Sequence, residues 1–220
     1  MIQWVYEACR SCPGMDTIIA TDDQRIIDAA EGFGARSILT DINHECGTDR
    51  VCEVATANPN YDVYVNVQGD QPFVDSDLLS CLIAPFSSSN PPEMATLASP
   101  LSDEAKTDPN SVKVILDQDK NAIYFSRASI PFARTEGIDT PVFHHLGLYA
   151  FSKDFLHKFH SYPPTPLEQC EQLEQLRAIE NGHQIRVSLI EKPIIEVNTP
   201  ADLEVATELM RKRIGTENLA

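Results

Sequence analysis

The residues best placed for chemistry lie in Gln68-Gly69-Asp70, which follows a β-rich apolar run at residues 61–65. A strand that ends in a carboxylate delivers this group to the carboxyl edge of a sheet, where open α/β sheets bind ligands. Gly69 permits a close approach, and a lone Asp70 suits a hard cation such as Mg²⁺ carrying a nucleotide's phosphates. A strand that ends in a polar turn without any function explains this segment equally well, so the other motifs of the chain must decide between the two interpretations.

Length and charge bound the class of protein. A chain of 220 residues is enough for one large α/β domain and too short for two, so we expect a single domain over residues 1–220. With 42% hydrophobic and 23% charged residues, the composition is that of a globular protein. The net charge of −16 argues against nucleic acid and anionic membrane surfaces as partners, since both select basic patches.

The sequence carries no sign of a membrane segment or of export. No stretch approaches the ~18 consecutive apolar residues of a membrane helix, and no basic region precedes an apolar run at the N-terminus. Six cysteines in such a chain indicate reduced thiols and a cytoplasmic protein. Cys9 and Cys12 have the spacing of half a zinc site, but no second close pair follows.

The hydrophobic pattern predicts alternating helices and strands in the first third of the chain. It opens with a helix, followed by strands at residues 16–21 and 37–40, a helix at 48–57 and the strand before Asp70. Asp22 or Asp23 caps the helix between the first two strands. This βαβαβ order is typical of a parallel sheet covered by helices on both faces.

The second half is less regular. Polar residues at 117–121 predict a hairpin turn between two strands. A helix is predicted from about residue 167 to residue 181, ended by Gly182. Its core stripe is predicted to be Leu167, Cys170, Leu173 and Leu176.

Seven short motifs follow one another along the chain. They are Ala20-Thr21-Asp22-Asp23, Gly47-Thr48-Asp49-Arg50, Gln68-Gly69-Asp70, Tyr124-Phe125-Ser126-Arg127, His145-Leu146-Gly147-Leu148-Tyr149, Leu173-Glu174-Gln175-Leu176-Arg177 and Val197-Asn198-Thr199-Pro200. In this order and spacing, the chain resembles the 3-deoxy-manno-octulosonate (Kdo) cytidylyltransferases, also called CMP-Kdo synthetases. The resemblance covers essentially the whole chain, and the ordered set is far more specific than any one motif.

The resemblance implies Mg²⁺-dependent transfer of CMP from CTP to the anomeric hydroxyl of Kdo, with release of pyrophosphate, for lipopolysaccharide biosynthesis. It also implies a three-layer α/β fold with a mainly parallel sheet, of the Rossmann-like nucleotide-diphospho-sugar transferase kind. A β-rich insertion around residues 124–151 would serve sugar binding and homodimer formation. Because such chemistry is mostly positioning and charge neutralisation, the protein must supply a metal and cations rather than a covalent nucleophile.

The resemblance also assigns roles to residues. Asp70, Arg50 and Gln68 form the catalytic set, and Asp70 and Asn198 are the metal positions. The expected sugar contacts are Arg127, His145, Tyr149, Glu174 and Gln175. The expected cytidine contacts are Ala20, Thr21, Asp22 and Gly47. A guanidinium fork suits the Kdo carboxylate, although in so acidic a chain each arginine could equally form a surface ion pair. His145 and Tyr149, four apart in a β-like stretch, are predicted to face the same way.

Two departures from the family pattern carry expectations. Residues 1–6 match the helix that in this family follows a first strand and a basic, glycine-containing loop around the triphosphate. We therefore expect a gap in the sheet and a weaker triphosphate clamp. Asn198 stands where the family has Asp, which should lower metal affinity.

Two other functions stay open at this stage. One is a catalytically impaired relative that acts as a binding or dimer partner. The other is a cytidylyltransferase for another 2-keto sugar acid such as sialic acid. The motif His145-x-Gly-x-Tyr149 and the segment 173–176 favour Kdo.

Overall fold

The computed structural model describes residues 1–135, 138, 140–191, 195, 197 and 199–217, with side chains to residue 212. The first half contains α1 (Ile2–Ser11), β1 (Ile19–Thr21), α2 (Gln24–Gly32), β2 (Ser37–Leu39), α3 (Gly47–Ala57), β3 (Val63–Asn66) and α4 (Ser76–Ile83). A short 3-10 helix (Ala84–Ser87) follows. The second half contains β4 (Met94–Pro100), β5 (Lys113–Leu116), β6 (Ala122–Ser126), β7 (Phe143–Ser152), α5 (Lys153–His160), α6 (Pro166–Glu171), α7 (Leu176–Glu180), β8 (Ile185–Leu189) and α8 (Pro200–Glu217).

The first third confirms the predicted alternation of helices and strands. Of the two candidate caps for α2, Asp23 is the one used, because its carboxylate accepts from the backbone amide of Arg25 at 2.9 Å. The predicted hairpin turn joins β5 to β6. None of the helices in the described ranges is long and apolar enough to cross a membrane.

The larger sheet has six strands and a mixed pattern. Its order is β6-β5-β7-β4-β8, with β3 also paired to β7. Strand β7 is antiparallel to β3, β4 and β5, while β8 is parallel to β4. The sequence predicts a mainly parallel sheet, and β3, β4, β5 and β8 do share one direction. Direct pairings are nevertheless mostly antiparallel, because the long β7 lies between β3 and β4.

A gap separates the two sheets of the molecule. Strands β1 and β2 form their own parallel pair. Among the described residues, β1 pairs only with β2 and β3 only with β7. The space between β1 and β3 is lined by residues 18–21 on one side and 63–69 on the other. The gap expected from the sequence is therefore present at this place.

Helices cover both faces of the larger sheet. On one face, Phe155 and Phe159 of α5 pack with residues of α3, α7 and the strands, including Phe151 of β7. On the other face, α1 and α4 pack over Leu146 and Leu148 of the same strand. Because side chains alternate along a strand, β7 contributes to both cores. This arrangement confirms the expectation of helices on both faces.

The single helix predicted for residues 167–181 is wrong. Helix α6 ends at Glu171, its C-cap residue Gln172 takes a left-handed conformation with φ 53°, and α7 begins only at Leu176. Leu167 and Cys170, predicted to be core residues, are exposed. Glu168 is buried instead and accepts from Nε of the buried Arg177 at 2.9 Å. This ion pair needs the turn between the helices, and local periodicity gives no indication of it.

The buried Lys113 side chain connects the backbone before β5 to the backbone after β6 through hydrogen bonds, and its contribution to stability can be tested. Its side chain is 1% exposed, and Nζ donates to the carbonyl oxygens of Asp108 (2.8 Å), Ser111 (2.7 Å) and Arg127 (2.5 Å). Lys113→Met keeps most of the stem but leaves three carbonyls without this donor. We expect it to lower the free energy of unfolding by about 3 kcal/mol, measured by urea denaturation.

Lys106→Met is the matched control. Lys106 is half exposed and forms a surface ion pair with Asp103 at 2.7 Å. Its loss should cost no more than about 0.5 kcal/mol. Equal destabilisation by the two substitutions would contradict a special role for Lys113.

Candidate active site

A cavity of about 530 Å³ opens between β1, the start of α3 and the loop after β3. Its lining includes five of the residues predicted from the sequence: Ala20, Thr21, Gly47, Arg50 and Gln68. The cavity lies where β1 and β3 end, which is the position at which open α/β sheets bind ligands. The fold therefore brings three separate sequence motifs to one place.

The start of α3 forms one wall of this cavity. Cys46 occupies the N-cap position without meeting the geometry of a side-chain cap, and its thiol interacts with the backbone amide of Asp49 in the first turn. The first amides of a helix have no partner within the helix itself. Together with the helix dipole, such amides favour an anion. A Cβ on Gly47 would lie 2.9 Å from Nε2 of Gln68, so glycine is what allows the Gln68 carboxamide to rest against the helix start.

Arg50 supplies a positive charge to the cavity wall. Its Nη2 donates to Oδ2 of Asp22 at 2.6 Å, and its Nη1 donates to Oγ1 of Thr40 at 2.9 Å and to the carbonyl oxygen of Asp41 at 3.2 Å. Asp22, predicted as a cytidine contact, is therefore the residue that orients the Arg50 guanidinium.

Asp70 follows Gly69, which lines the cavity, and is half-buried. Burial raises the pKa of its carboxyl. Its carbonyl oxygen accepts from the backbone amide of Val197 at 2.9 Å, which ties the segment before α8 to the site. Asn198, the other predicted metal position, lies outside the described residues.

Of the two predicted metal positions, Asp70 is the one that the structure describes. Within the described ranges, no group of three or more His, Cys, Asp or Glu side chains is arranged to hold a metal ion. One carboxylate is compatible with Mg²⁺, which keeps several waters and is commonly bound by one or two carboxylates and the substrate's phosphates.

A second group of predicted residues lies on the α5 face of the larger sheet. His145, Tyr149 and Gln175 are each at most 5% exposed. The Tyr149 hydroxyl donates to Oε1 of Gln175 at 2.9 Å, and Nε2 of His145 lies 3.0 Å from Oγ1 of Thr96. The His145 and Tyr149 rings are 5.5 Å apart, which confirms that they share a face. Nε2 of Gln175 is buried without a hydrogen-bond partner among the described residues.

A chain of hydrogen bonds runs from the cavity to Glu174, the sequence neighbour of Gln175. Thr48 donates through Oγ1 to Oε1 of Glu174 at 2.8 Å and accepts from Nδ2 of Asn66 at 3.2 Å. Oδ1 of Asn66 accepts from Nε2 of Gln68 at 3.3 Å. Burial raises the pKa of the Glu174 carboxyl. Neither Thr48 nor Asn66 was predicted to be a site residue, although Thr48 lies within the motif at residues 47–50 and Asn66 lies two residues before Gln68.

Arg127 lies apart from the cavity lining. Its guanidinium donates to backbone carbonyl oxygens of Glu171 at 2.8 Å, Pro109 at 3.1 Å and Gln172 at 3.4 Å. These bonds fasten the end of β6 to the end of α6. The predicted contact between Arg127 and the sugar stays a prediction.

His145 gives a pH-dependent test of the buried group. Burial lowers the pKa of its imidazole from 6.5 to about 3. Between these values the unfolded chain binds more protons than the folded one, so stability falls as the pH drops below 6.5. His145→Gln removes this titration. From about pH 7 to pH 5, we expect the free energy of unfolding to decrease by about 2 kcal/mol less in the variant than in the unsubstituted protein.

Urea denaturation at the two pH values measures this difference. His160→Gln is the control for a histidine outside the buried group: its side chain is 47% exposed, and its Nδ1 lies 2.8 Å from Oδ1 of Asp49. An unchanged pH dependence in His145→Gln would contradict the assignment of a buried, neutral imidazole.

Comparison with known proteins agrees with this geometry. Residues 1–185 match the cytidylyltransferase family. The 3-deoxy-manno-octulosonate cytidylyltransferase of Acaryochloris marina is 51% identical over 205 residues, covering 92% of this chain and 83% of that protein. The protein of the same name from Synechococcus elongatus is 50% identical over 216 residues, covering 97% of this chain and 88% of that protein.

Solved structures give the same result. A CMP:2-keto-3-deoxy-manno-octonic acid synthetase complexed with CTP is 34% identical, with a TM-score of 0.88 over 96% of this chain and 88% of that chain. A 4-diphosphocytidyl-2C-methyl-D-erythritol synthase from Anaerococcus prevotii, 16% identical over 96% of this chain and 88% of that chain, has a TM-score of 0.61 and shows the fold alone. With its α/β nucleotidyltransferase fold, the chain belongs to the cytidylyltransferase family and, within it, to the 3-deoxy-manno-octulosonate cytidylyltransferases.

Proposed function

We propose that this protein transfers CMP from CTP to the anomeric hydroxyl of Kdo, releases pyrophosphate and so supplies CMP-Kdo for lipopolysaccharide biosynthesis. The observation that carries the proposal is the cavity at the ends of β1 and β3, which gathers Thr21, Gly47, Arg50 and Gln68. The relatives at about 50% identity over nearly the whole chain support the same reaction.

Two features on the nucleotide side of the site would favour an anionic ligand. They are the N-terminus of α3, with its helix dipole, and the guanidinium of Arg50, which lines the cavity while paired with Asp22. Such local charge is needed because the chain as a whole carries −16. Ala20 and Thr21 line the same cavity and would bring the end of β1 against the cytidine.

The sugar side is suited to an uncharged hydrogen-bonding role. Burial keeps His145 neutral, so it would act as a hydrogen-bond partner and not as a cation. The buried Nε2 of Gln175 has no hydrogen-bond acceptor among the described residues, and an oxygen of the sugar acid would provide one. Arg127 stays a candidate for the Kdo carboxylate.

We infer that Asp70, with Asn198 as the second candidate ligand, holds Mg²⁺ in this site. Mg²⁺ held there would neutralise charge that develops on the phosphate oxygens. The protein's own residues then position the Kdo hydroxyl for attack at the α-phosphorus, and pyrophosphate leaves. No covalent intermediate with the protein is required.

Asp70→Asn tests this assignment, because it removes the negative charge while keeping the size of the side chain. We expect pyrophosphate release from CTP, Kdo and Mg²⁺ to fall at least about 100-fold. Asp77→Asn is the control, since Asp77 is exposed in the first turn of α4. Comparable turnover by Asp70→Asn would remove Asp70 from the metal site.

The same assay separates the open alternatives. Turnover of N-acetylneuraminate but not of Kdo would identify a different sugar acid. CTP binding without turnover of either sugar would identify an impaired relative that acts by binding.

We further infer a homodimer formed through the segment around residues 124–151. Strand β6 is at an edge of the larger sheet, and the apolar side chains Ile123, Phe132 and Ile138 in or beside this segment are 53%, 90% and 65% exposed. Exposed apolar side chains of this size would be covered in an interface between two copies.

Light scattering after gel filtration tests the dimer. We expect a mass of twice the 24.4 kDa of one chain and a single-chain mass for Phe132→Asp. The control Ile42→Asp, at a side chain 75% exposed outside this segment, should keep the dimer mass. A single-chain mass for the unsubstituted protein would exclude the dimer.

A further inference from the structure

Thr48 lies between the two halves of the site without being exposed itself. It is fully buried in the first turn of α3. Its hydroxyl has one proton, which it donates to Oε1 of Glu174 at 2.8 Å. Toward Asn66 the hydroxyl oxygen can therefore only accept, and Nδ2 of Asn66 donates to it at 3.2 Å.

The direction of these hydrogen bonds also determines how the Gln68 side chain is oriented. With Nδ2 of Asn66 directed to Thr48, Oδ1 of Asn66 is left to accept, and Nε2 of Gln68 donates to it at 3.3 Å. The remaining polar atom of Gln68 is its carboxamide oxygen, and no hydrogen bond reaches this atom from the side chains described in the structure. Gln68 lines the cavity, so its oxygen is the atom left for a ligand.

We propose that Thr48 is a positioning residue that acts through Asn66 and makes Gln68 a hydrogen-bond acceptor in the cavity. The ligand group that donates to the Gln68 oxygen is a hydroxyl of the sugar acid or of the ribose. This inference rests on the proposed function, since it names the polarity with which the same site recognises its substrates.

A pair of substitutions separates positioning from packing. Thr48→Val keeps the shape and removes the hydroxyl, whereas Thr48→Ser keeps the hydroxyl and removes a methyl group. Positioning predicts that valine raises the KM for one substrate at least about tenfold, while serine stays within about threefold. A packing role predicts the reverse order. A rise in the KM for Kdo shows that the hydroxyl bound by Gln68 belongs to the sugar acid, and a rise in the KM for CTP shows that it belongs to the ribose.

A double-substitution cycle tests whether Thr48 acts through Gln68. If it does, Thr48→Val has no further effect on KM when Gln68→Ala is already present. An equal effect of Thr48→Val with and without Gln68 would overturn the proposal. A Thr48→Ser variant as impaired as Thr48→Val would also overturn the proposal.

A readout without turnover separates this inference from the proposed function. The side-chain amide of Gln68, identified in ¹⁵N NMR spectra by its loss in Gln68→Ala, should change its shift in Thr48→Val and keep it in Thr48→Ser. That pattern in a protein that makes no CMP-Kdo would overturn the proposed function and support the positioning role. An unchanged Gln68 signal in Thr48→Val would overturn the positioning role, whatever the activity.

Discussion

The candidate site depends on the pairing of β7 with β3 along one edge and β4 along the other. This register sets Tyr149 opposite Asn66 on one side and Thr96 on the other. One strand thereby brings the sugar-side residues next to the strand that ends at the nucleotide cavity. The antiparallel insertion of β7 departs from a purely parallel sheet, and it is what joins the two halves of the site.

Once these groups are buried, hydrogen bonding dictates their arrangement. A buried polar group is costly unless it is paired, so each must find a partner in a defined direction. Thr48, whose hydroxyl both donates and accepts, links Asn66, 18 positions away in the sequence, to Glu174, 126 positions away. The ion pair between Glu168 and Arg177 holds the adjoining helices in the same manner. Such networks favour one arrangement of the site before any substrate binds.

Local features of the fold were predictable from the sequence. The elements up to β3, the cap at Asp23 and the turn between β5 and β6 depend on side-chain periodicity and turn chemistry within a few residues. The helix predicted for residues 167–181 failed for the opposite reason. The helical period implied that Leu167 faces the core, whereas tertiary contacts bury Glu168 against Arg177 and break the helix at Gln172.

Residue types in an ordered series of motifs were enough to predict the family and the type of fold, because such motifs report chemistry that depends on residue type; the roles of the single site residues stay predictions. The tertiary structure alone decided which residues meet. It joined Ala20, Gly47 and Gln68 in one cavity, engaged Arg127 with backbone carbonyls, and connected Thr48 and Asn66 to the site. These outcomes follow from strand register and from pairing between distant buried polar groups, neither of which leaves a periodic signal in the sequence.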